Sequence, residues 1–390
     1  MMRTAIIIER TSVRLGGAER SIAELTQELT RRGIDVRILA ASGQAGPNTT
    51  VLCGGGNKRT GLNTFAKAIK AYISDNRFDI IHSTLPFDFA DIYQPRGGSF
   101  KEAMLGNAAS CSSAFLRTFK RITHFANIGR TACIRAERRI CRPEGRPVVA
   151  ALSEYVKQQF IRYYNLPPQR LVVIPNGVSI DNGIDAEEAQ KFRNSILRQT
   201  NLPEKSEAVL FLFAANNFRL KGLRELLSAL SQALKKNSAL PAVMIIAGSN
   251  NPASYKNLCG KLGLSGRVVF TGPLDSVTAA LCAADAAVLP TWYDPCSRFI
   301  LEALALSRPV ITTRLNGAAE RYVHNRHGYV IENPADTDAL AEAVATMCQA
   351  SIRAQMRSAI EADNIRGAVS IGNHVDKLLE LYQNILKGRK

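Results

Sequence analysis

Apolar residues along this chain follow two recurring patterns. Short unbroken runs, Thr4 to Glu9, Asp35 to Ala40, Phe78 to His82, Val148 to Leu152 and Arg170 to Ile174, read as strands buried on both faces. Between them apolar residues recur every three or four positions, as from Ala18 to Arg32, closed by Gly33, and at Leu62, Phe65, Ile69, Tyr72 and Ile73. That spacing predicts helices with one stripe facing a core. Ser153 is placed to cap a further helix from Glu154 to Tyr164. Strand and helix alternate, so the sheet is expected to be parallel.

The alternation restarts after a polar stretch from Ser179 to Ser206. Strands are predicted at Val209 to Ala215, Val243 to Ala247, Val268 to Thr271, Ala286 to Leu289, Pro309 to Thr313 and Gly328 to Ile331. Leu223, Leu226, Leu227, Leu230 and Leu234 stripe the helix after the first of these. The fold class is α/β, with two doubly wound, Rossmann-like domains expected to face each other across a cleft. The first covers 1–176 and the second 177–370, and a helix at about 371–388 is expected to fold back on the first.

The densest candidate chemistry lies between Val288 and Ala305. Pro290 ends a strand, and helical spacing resumes at Ser297 with Phe299, Ile300, Ala303 and Leu304 on one side. A helix that starts at a strand's carboxyl end offers unpaired backbone N–H groups, here those of Cys296, Ser297, Arg298 and Phe299, to an anionic or hydroxyl-rich ligand. Asp294 precedes that helix and Glu302 lies two turns inside it, so the two carboxylates can serve opposite ends of an elongated polyhydroxy ligand. Arg219 and Lys221 sit before another helix start, where their charge and the helix's partial charge add. Gly248-Ser249 and Gly16-Gly17 are turns at strand ends, and Gly-Gly by itself equally suits a tight turn without a ligand. His82, Asp88 and Asp91 fall at or after a strand end in a loop punctuated by Gly and Pro, although a histidine at a strand end is more often structural. Asp336-Thr337-Asp338 opens a helix and reads as a cap, and His324 and His327 have no further ligand near them in sequence, so no metal site is expected.

Composition narrows the classes. With 390 residues the chain is long enough for two domains of about 100–200 residues. No apolar run approaches the roughly 18 residues of a membrane span, and the first apolar run is too short for a signal peptide, so a cytoplasmic protein is expected. The eight cysteines lack a C-x-x-C pair and read as reduced thiols. A net charge of +17 asks for an anionic partner. No nucleic-acid motif accompanies it. The excess concentrates at 113–146, where Phe115, Phe119, Ile122 and Phe125 interleave with Arg117, Lys120, Arg121, Arg130, Arg135, Arg138, Arg139, Arg142 and Arg146. Such a segment suits an anionic membrane surface, or else is an amphipathic helix with a solvated basic face.

Gly16-Gly17, Pro175-Asn176-Gly177-Val178, Arg219-Leu220-Lys221-Gly222 and the run from Asp294 to Glu302, in this order and spacing, resemble the family 4 retaining glycosyltransferases of the GT-B fold. Leu85-Pro86, Asp91-Ile92-Tyr93 and the basic insertion are similar to the glucosyltransferases that extend the heptose inner core of lipopolysaccharide. The resemblance implies a nucleotide-sugar donor, UDP-glucose first with GDP-mannose or another UDP-hexose open, and no metal or other cofactor. It implies a saccharide or glycolipid acceptor and a place on the inner face of the cytoplasmic membrane. By the same resemblance Lys221 and Arg219 hold the donor diphosphate, and Glu302 takes the ribose. Asp294 and the N–H groups of Cys296, Ser297 and Arg298 orient the sugar. Asp91, with Asp88 as its rival, meets the sugar or the acceptor hydroxyl, while Gly16, Gly17 and Gly248 line the donor site. Two departures are an aspartate, Asp294, where the family usually has glutamate, and Leu220 between Arg219 and Lys221. Two further readings share the frame: a UDP-N-acetylglucosamine 2-epimerase-like enzyme, and a non-catalytic, membrane-associated sugar-binding protein.

Overall fold

The computed structural model describes every residue except 12–16, 55–59, 112, 114, 116, 119, 121–127, 181–184, 201, 203–206 and 390. The chain divides into two compact units: Met1–Ala108, Ser112–Gly177 and Ile371–Lys390 form the first, Val178–Ser370 with Ala109–Cys111 the second.

The first unit is built on β1 (Arg3–Arg10), β2 (Asp35–Ser42), β3 (Thr49–Val51), β4 (Ile80–Ser83), β5 (Ile92–Tyr93), β6 (Val148–Ala151) and β7 (Leu171–Val173). They form one parallel sheet in the order β3-β2-β1-β4-β5-β6-β7. Its helices are α1 (Gly17–Arg31), α2 (Leu62–Asp75), α3 (Phe100–Ala109), α4 (Ile128–Ile140), α5 (Glu154–Tyr164) and a returning helix, Ile371–Lys387. The period of two along β1 sorts the core. Ile6 and Ile8 pack with Ile22, Leu25 and Leu29 of α1 and with Val375, Leu378 and Tyr382 of the returning helix, while Ala5 and Ile7 pack with Phe65 and Ile69 of α2. Both faces of the strand are covered, which is why it reads as a continuous apolar run.

Among the described strands and α-helices of this unit, three lie outside the expected set. β3 has one apolar residue, Val51, and β5 is two residues long inside a segment that reads as a loop. The third, α3, mixes Gly106 and alanines into a helix with almost no apolar stripe. Its start is fixed instead by buried polar groups. Glu137 of α4, fully buried, accepts from Phe100 N at 3.0 Å, Tyr93 Oη at 2.8 Å and Tyr164 Oη at 2.7 Å. Burial pushes this carboxyl up to about 7, despite the opposing hydrogen bonds from Tyr164, Tyr93 and the Phe100 amide.

The described part of the basic segment differs from a leaflet-inserting helix. Ala136 and Ile140 of α4 are buried in the unit, Ile140 against Tyr93 and Phe160, so these apolar residues serve the core. Arg130, Arg135, Arg138, Arg139, Arg142 and Arg146 are exposed. Phe115 is exposed as well, whereas Phe119, Ile122 and Phe125 lie outside the described residues.

The second unit holds β8 (Val209–Ala214), β9 (Ala242–Ala247), β10 (Val268–Gly272), β11 (Ala286–Leu289), β12 (Val310–Thr313) and β13 (Gly328–Ile331), all parallel, in the order β10-β9-β8-β11-β12-β13. Around the sheet lie α6 (Ala186–Leu197), α7 (Leu223–Lys236), α8 (Ala253–Lys261), α9 (Val277–Ala283), α10 (Arg298–Ala305), α11 (Thr337–Met347), α12 (Ala350–Ala362) and α13 (Ile365–Ala368). The strand order reverses between β8 and β11, because the chain leaves β8 toward β9 on one side and β11 joins on the other. In open α/β sheets the carboxyl ends at such a reversal form the ligand crevice.

Candidate functional site

The chain from β8 to α7 and the chain from β11 to α10 meet at that reversal. Gly222 makes the approach possible: it has φ 79°, and a Cβ there would lie 1.9 Å from Pro290 O. Trp292 N donates to Leu220 O at 2.9 Å, tying one loop to the other. Lys221, held by N–H donation to Asn217 O at 3.0 Å, reaches across, and its Nζ lies 2.6 Å from Asp294 Oδ2 and 3.2 Å from Tyr293 O. Both side chains are mostly buried, 19% and 13% exposed, so the pair attracts more strongly than one in open water. Asp294 Oδ1 also accepts from Cys296 N at 3.1 Å.

Glu302 lies within α10 and accepts from Arg298 Nη2 at 3.2 Å, one helical turn away. Both are buried, at 6% and 8% exposure. Lys221, Asp294, Arg298 and Glu302 thus bring cationic and anionic groups to the carboxyl ends of neighbouring strands. Such a set can hold a diphosphate by charge and hydroxyl groups by hydrogen bonding. Arg219 shares the loop with Lys221, and its Nη1 donates to Ser110 Oγ at 2.5 Å and lies 3.2 Å from Cys111 Sγ.

Several expectations change. Asp91 is the largest correction. Between Thr84 and Asp91 the chain runs back from the carboxyl edge of β4 to the amino edge of the sheet, so Asp91 precedes β5 at the edge opposite to ligand-binding loops. It is 4% exposed, and its carboxylate accepts from Ile81 N at 2.8 Å, from Arg146 Nη2 at 2.6 Å and from Arg389. It fastens the sheet edge rather than meeting a substrate. Asp88, on the same return path, pairs with Arg139 at 3.5 Å and Lys70 at 4.0 Å.

The second correction concerns the start of α10. The Cys296 N–H serves Asp294, and the Ser297 N–H donates to Asn316 Oδ1 at 3.1 Å, so these two amides shape the turn instead of waiting for a ligand. Gly248 also has an internal reason: φ is 148°, and a Cβ would lie 1.9 Å from Ala215 O. As to the other glycines, Gly17 begins α1 and Gly16 lies outside the described residues.

His82 is structural, as its place at a strand end suggested. It is fully buried, its Nδ1 is 2.8 Å from Tyr382 Oη, and burial lowers it to about 3, with the Arg96 charge adding to the effect. It is therefore neutral. Asp336 caps α11 by accepting from Ala339 N at 3.0 Å, and His324 and His327 accept from Val330 N and Val323 N. Among the described residues no three His, Cys, Asp or Glu side chains are grouped to hold a metal ion. All eight cysteines are free thiols.

The sequence reading missed a buried polar layer under the site. Thr291, Thr312, Thr313 and Asn316 are all 0% exposed. Thr291 Oγ1 donates toward Leu220 O at 3.2 Å and Tyr293 O at 2.9 Å, and Thr313 Oγ1 donates to Thr291 O at 2.6 Å. Their signal in the sequence is a threonine at the carboxyl end of an apolar strand, where burial requires hydrogen-bond partners.

Comparison with known proteins agrees with this geometry. Residues 15–182 match the pattern of Glycosyltransferase Family 4, and residues 208–350 that of Glycosyl transferases group 1. An uncharacterized glycosyltransferase of Methanocaldococcus jannaschii is 30% identical over 50% of this chain and 48% of its own. The lipopolysaccharide glucosyltransferase WaaG of Escherichia coli is 28% identical over 47% of this chain and 48% of its own. These alignments span about half the length of the curated relatives. A crystal structure of WaaG superposes with a TM-score of 0.71 at 19% identity, covering 92% of this chain and 94% of that one. That of HepE from Anabaena in complex with UDP-glucose gives 0.69 at 17% identity, covering 98% and 100%. With two parallel sheets, one matched pattern lying mostly on each unit and these structural likenesses, the chain belongs to the family 4 glycosyltransferases of the GT-B fold.

Proposed function

We propose that this protein is a retaining, metal-independent hexosyltransferase that moves glucose from UDP-glucose to a membrane-associated saccharide or lipid-linked acceptor, with the lipopolysaccharide core as the leading candidate. The observation that carries the reading is the Lys221–Asp294 pair at 2.6 Å, set at the strand-order reversal beside the starts of α7 and α10. As the bond from the anomeric carbon to the diphosphate oxygen breaks, negative charge builds on the leaving nucleotide, and Lys221 with Arg219 offsets it. Glu302 takes the ribose hydroxyls, and Asp294 with the turn from Cys296 to Arg298 orients the sugar. The glucosyltransferase WaaG and HepE with its UDP-glucose support this choice of donor.

A thermal-shift panel of UDP, UDP-glucose, UDP-N-acetylglucosamine and GDP-mannose tests it. A donor at a hundred times its Kd adds about 2.7 kcal/mol to folded-state stability, which raises Tm by several degrees. UDP-glucose is expected to give the largest rise, and a flat panel would remove the donor site. Epimer formed from UDP-N-acetylglucosamine without an acceptor would favour the epimerase instead.

The exposed cations of α4 and the loop after it support a membrane setting for the acceptor. Among the described residues no helix is long and apolar enough to cross a membrane. Binding to the inner face of the cytoplasmic membrane is therefore assigned to charge, at about 1 kcal/mol for each cation near an anionic surface. The protein is expected to sediment with anionic vesicles at about 0.1 M salt and to be released toward 1 M, as the screening length shrinks from about 10 Å to about 3 Å. Equal sedimentation with neutral vesicles would contradict this.

A further inference from the structure

Asn316 occupies a place that no expectation assigned. Its side chain is fully buried, and its one carboxamide joins three elements. Oδ1 accepts from Ser297 N at 3.1 Å, at the start of α10, and from Ala318 N at 3.0 Å, in the short helix Gly317–Arg321. Nδ2 donates to Thr312 Oγ1 at 3.0 Å, and that hydroxyl donates on to Leu289 O at 2.6 Å, the last residue of β11. The backbone around it closes on the same turn: Asp294 N donates to Leu315 O at 2.9 Å and Gly317 N to Asp294 O at 2.9 Å. The backbone of Asp294 is thus fastened at both its N–H and its carbonyl, and the exit of the turn at Ser297 by a fully buried side chain.

We propose that Asn316 is a positioning residue for the sugar end of the donor, acting through the turn from Asp294 to Ser297. The assignment rests on the transferase reading. Asp294 reaches Lys221 and Cys296 N from this turn, and a carboxylate that must select one hydroxyl of a hexose needs its backbone held to a fraction of an ångström. Asparagine suits the position because one amide supplies both an acceptor for two N–H groups and a donor to Thr312. Loss of the amide leaves Ser297 N and Ala318 N without their acceptor, and the turn relaxes.

The test compares UDP with UDP-glucose. Asn316→Ala is expected to weaken UDP-glucose by about tenfold or more and UDP by less than about threefold, because UDP lacks the group that the turn reads. Asn316→Asp keeps the Oδ1 acceptor for Ser297 N and Ala318 N while losing the donor to Thr312, and is expected to restore most of the difference. Thr312→Val, which removes the acceptor of Asn316 Nδ2 and the link to Leu289 but leaves Oδ1 to Ser297 N and Ala318 N, should fall between them and replaces the alanine variant if that variant does not fold. A purely structural asparagine would lower Tm while both ligands bound as in the wild type or weakened equally, and either result overturns the proposal. Amide hydrogen exchange at Ser297 and Ala318 supplies an arm that needs no ligand: it should accelerate in Asn316→Ala, and unchanged exchange also overturns the proposal. If the wild type binds no nucleotide sugar, the transferase reading fails by itself, and the positioning role falls with it even where exchange shows Asn316 holding the turn.

Discussion

Lys221→Met is expected to slow transfer from UDP-glucose by about 10²–10³-fold in kcat, the usual cost of removing one group aimed at charge that develops in the transition state. Methionine keeps the length and much of the volume of the lysine stem, so the loss is one of charge. The variant also leaves Asp294 without the ammonium 2.6 Å away, in a place where its side chain is only 13% exposed. That carboxylate then repels the diphosphate, and UDP should bind more weakly as well. Adding Asp294→Asn to the variant removes the repulsion. The double variant is expected to recover part of the UDP affinity, measured by calorimetry, without recovering the rate of labelled-glucose transfer. Wild-type turnover in Lys221→Met would take Lys221 out of the chemistry.

The second large effect is on stability. Glu137→Ala removes the acceptor from Tyr93, Tyr164 and Phe100 N together, and unmet buried donors cost about 1–3 kcal/mol each. A total loss of about 3–5 kcal/mol, read from urea or thermal unfolding, is expected. Glu137→Gln behaves differently, because its amide oxygen can serve two of the donors while the Tyr93 hydroxyl turns to accept. The wild-type carboxyl sits at about 7 in the folded chain against 4.5 as its ordinary value, so between those pH values the native state holds more protons than the unfolded one. Stability therefore falls as pH rises through this window, reaching a penalty on the order of 3 kcal/mol above pH 7. The glutamine variant lacks that slope. Relative to wild type it should gain between pH 5 and pH 8, and parallel curves would show that Glu137 is ionised in the fold at ordinary cost.

Much of the frame was legible because both sheets are parallel and covered on both faces. Strands such as Val209–Ala214 and Ala242–Ala247 appear as bare apolar runs, and α1 and α7 carry strong stripes. Elements whose order comes from long-range contacts were not legible. α3 depends on Glu137, 37 residues from Phe100, and β5 on its neighbours across the sheet. At the candidate site the sequence marked Lys221, Asp294, Arg298 and Glu302, since charge beside a helix start stands out in a local window. It misplaced Asp91, because a loop that turns back to the opposite edge of a sheet reads the same as one that stays at the carboxyl edge. It passed over Asn316 and Thr291, whose partners lie 19 and 71 residues away.

The returning helix has a consequence for how the protein is made. Val375, Leu378 and Tyr382 complete the apolar layer that Ile6 and Leu25 begin, yet residues 178–370 are translated in between. While the ribosome elongates the second unit, the first waits with one oily face uncovered. Nascent chains in that interval are the natural clients of chaperones, and unit one can reach its full stability only after the intervening unit has left the exit tunnel.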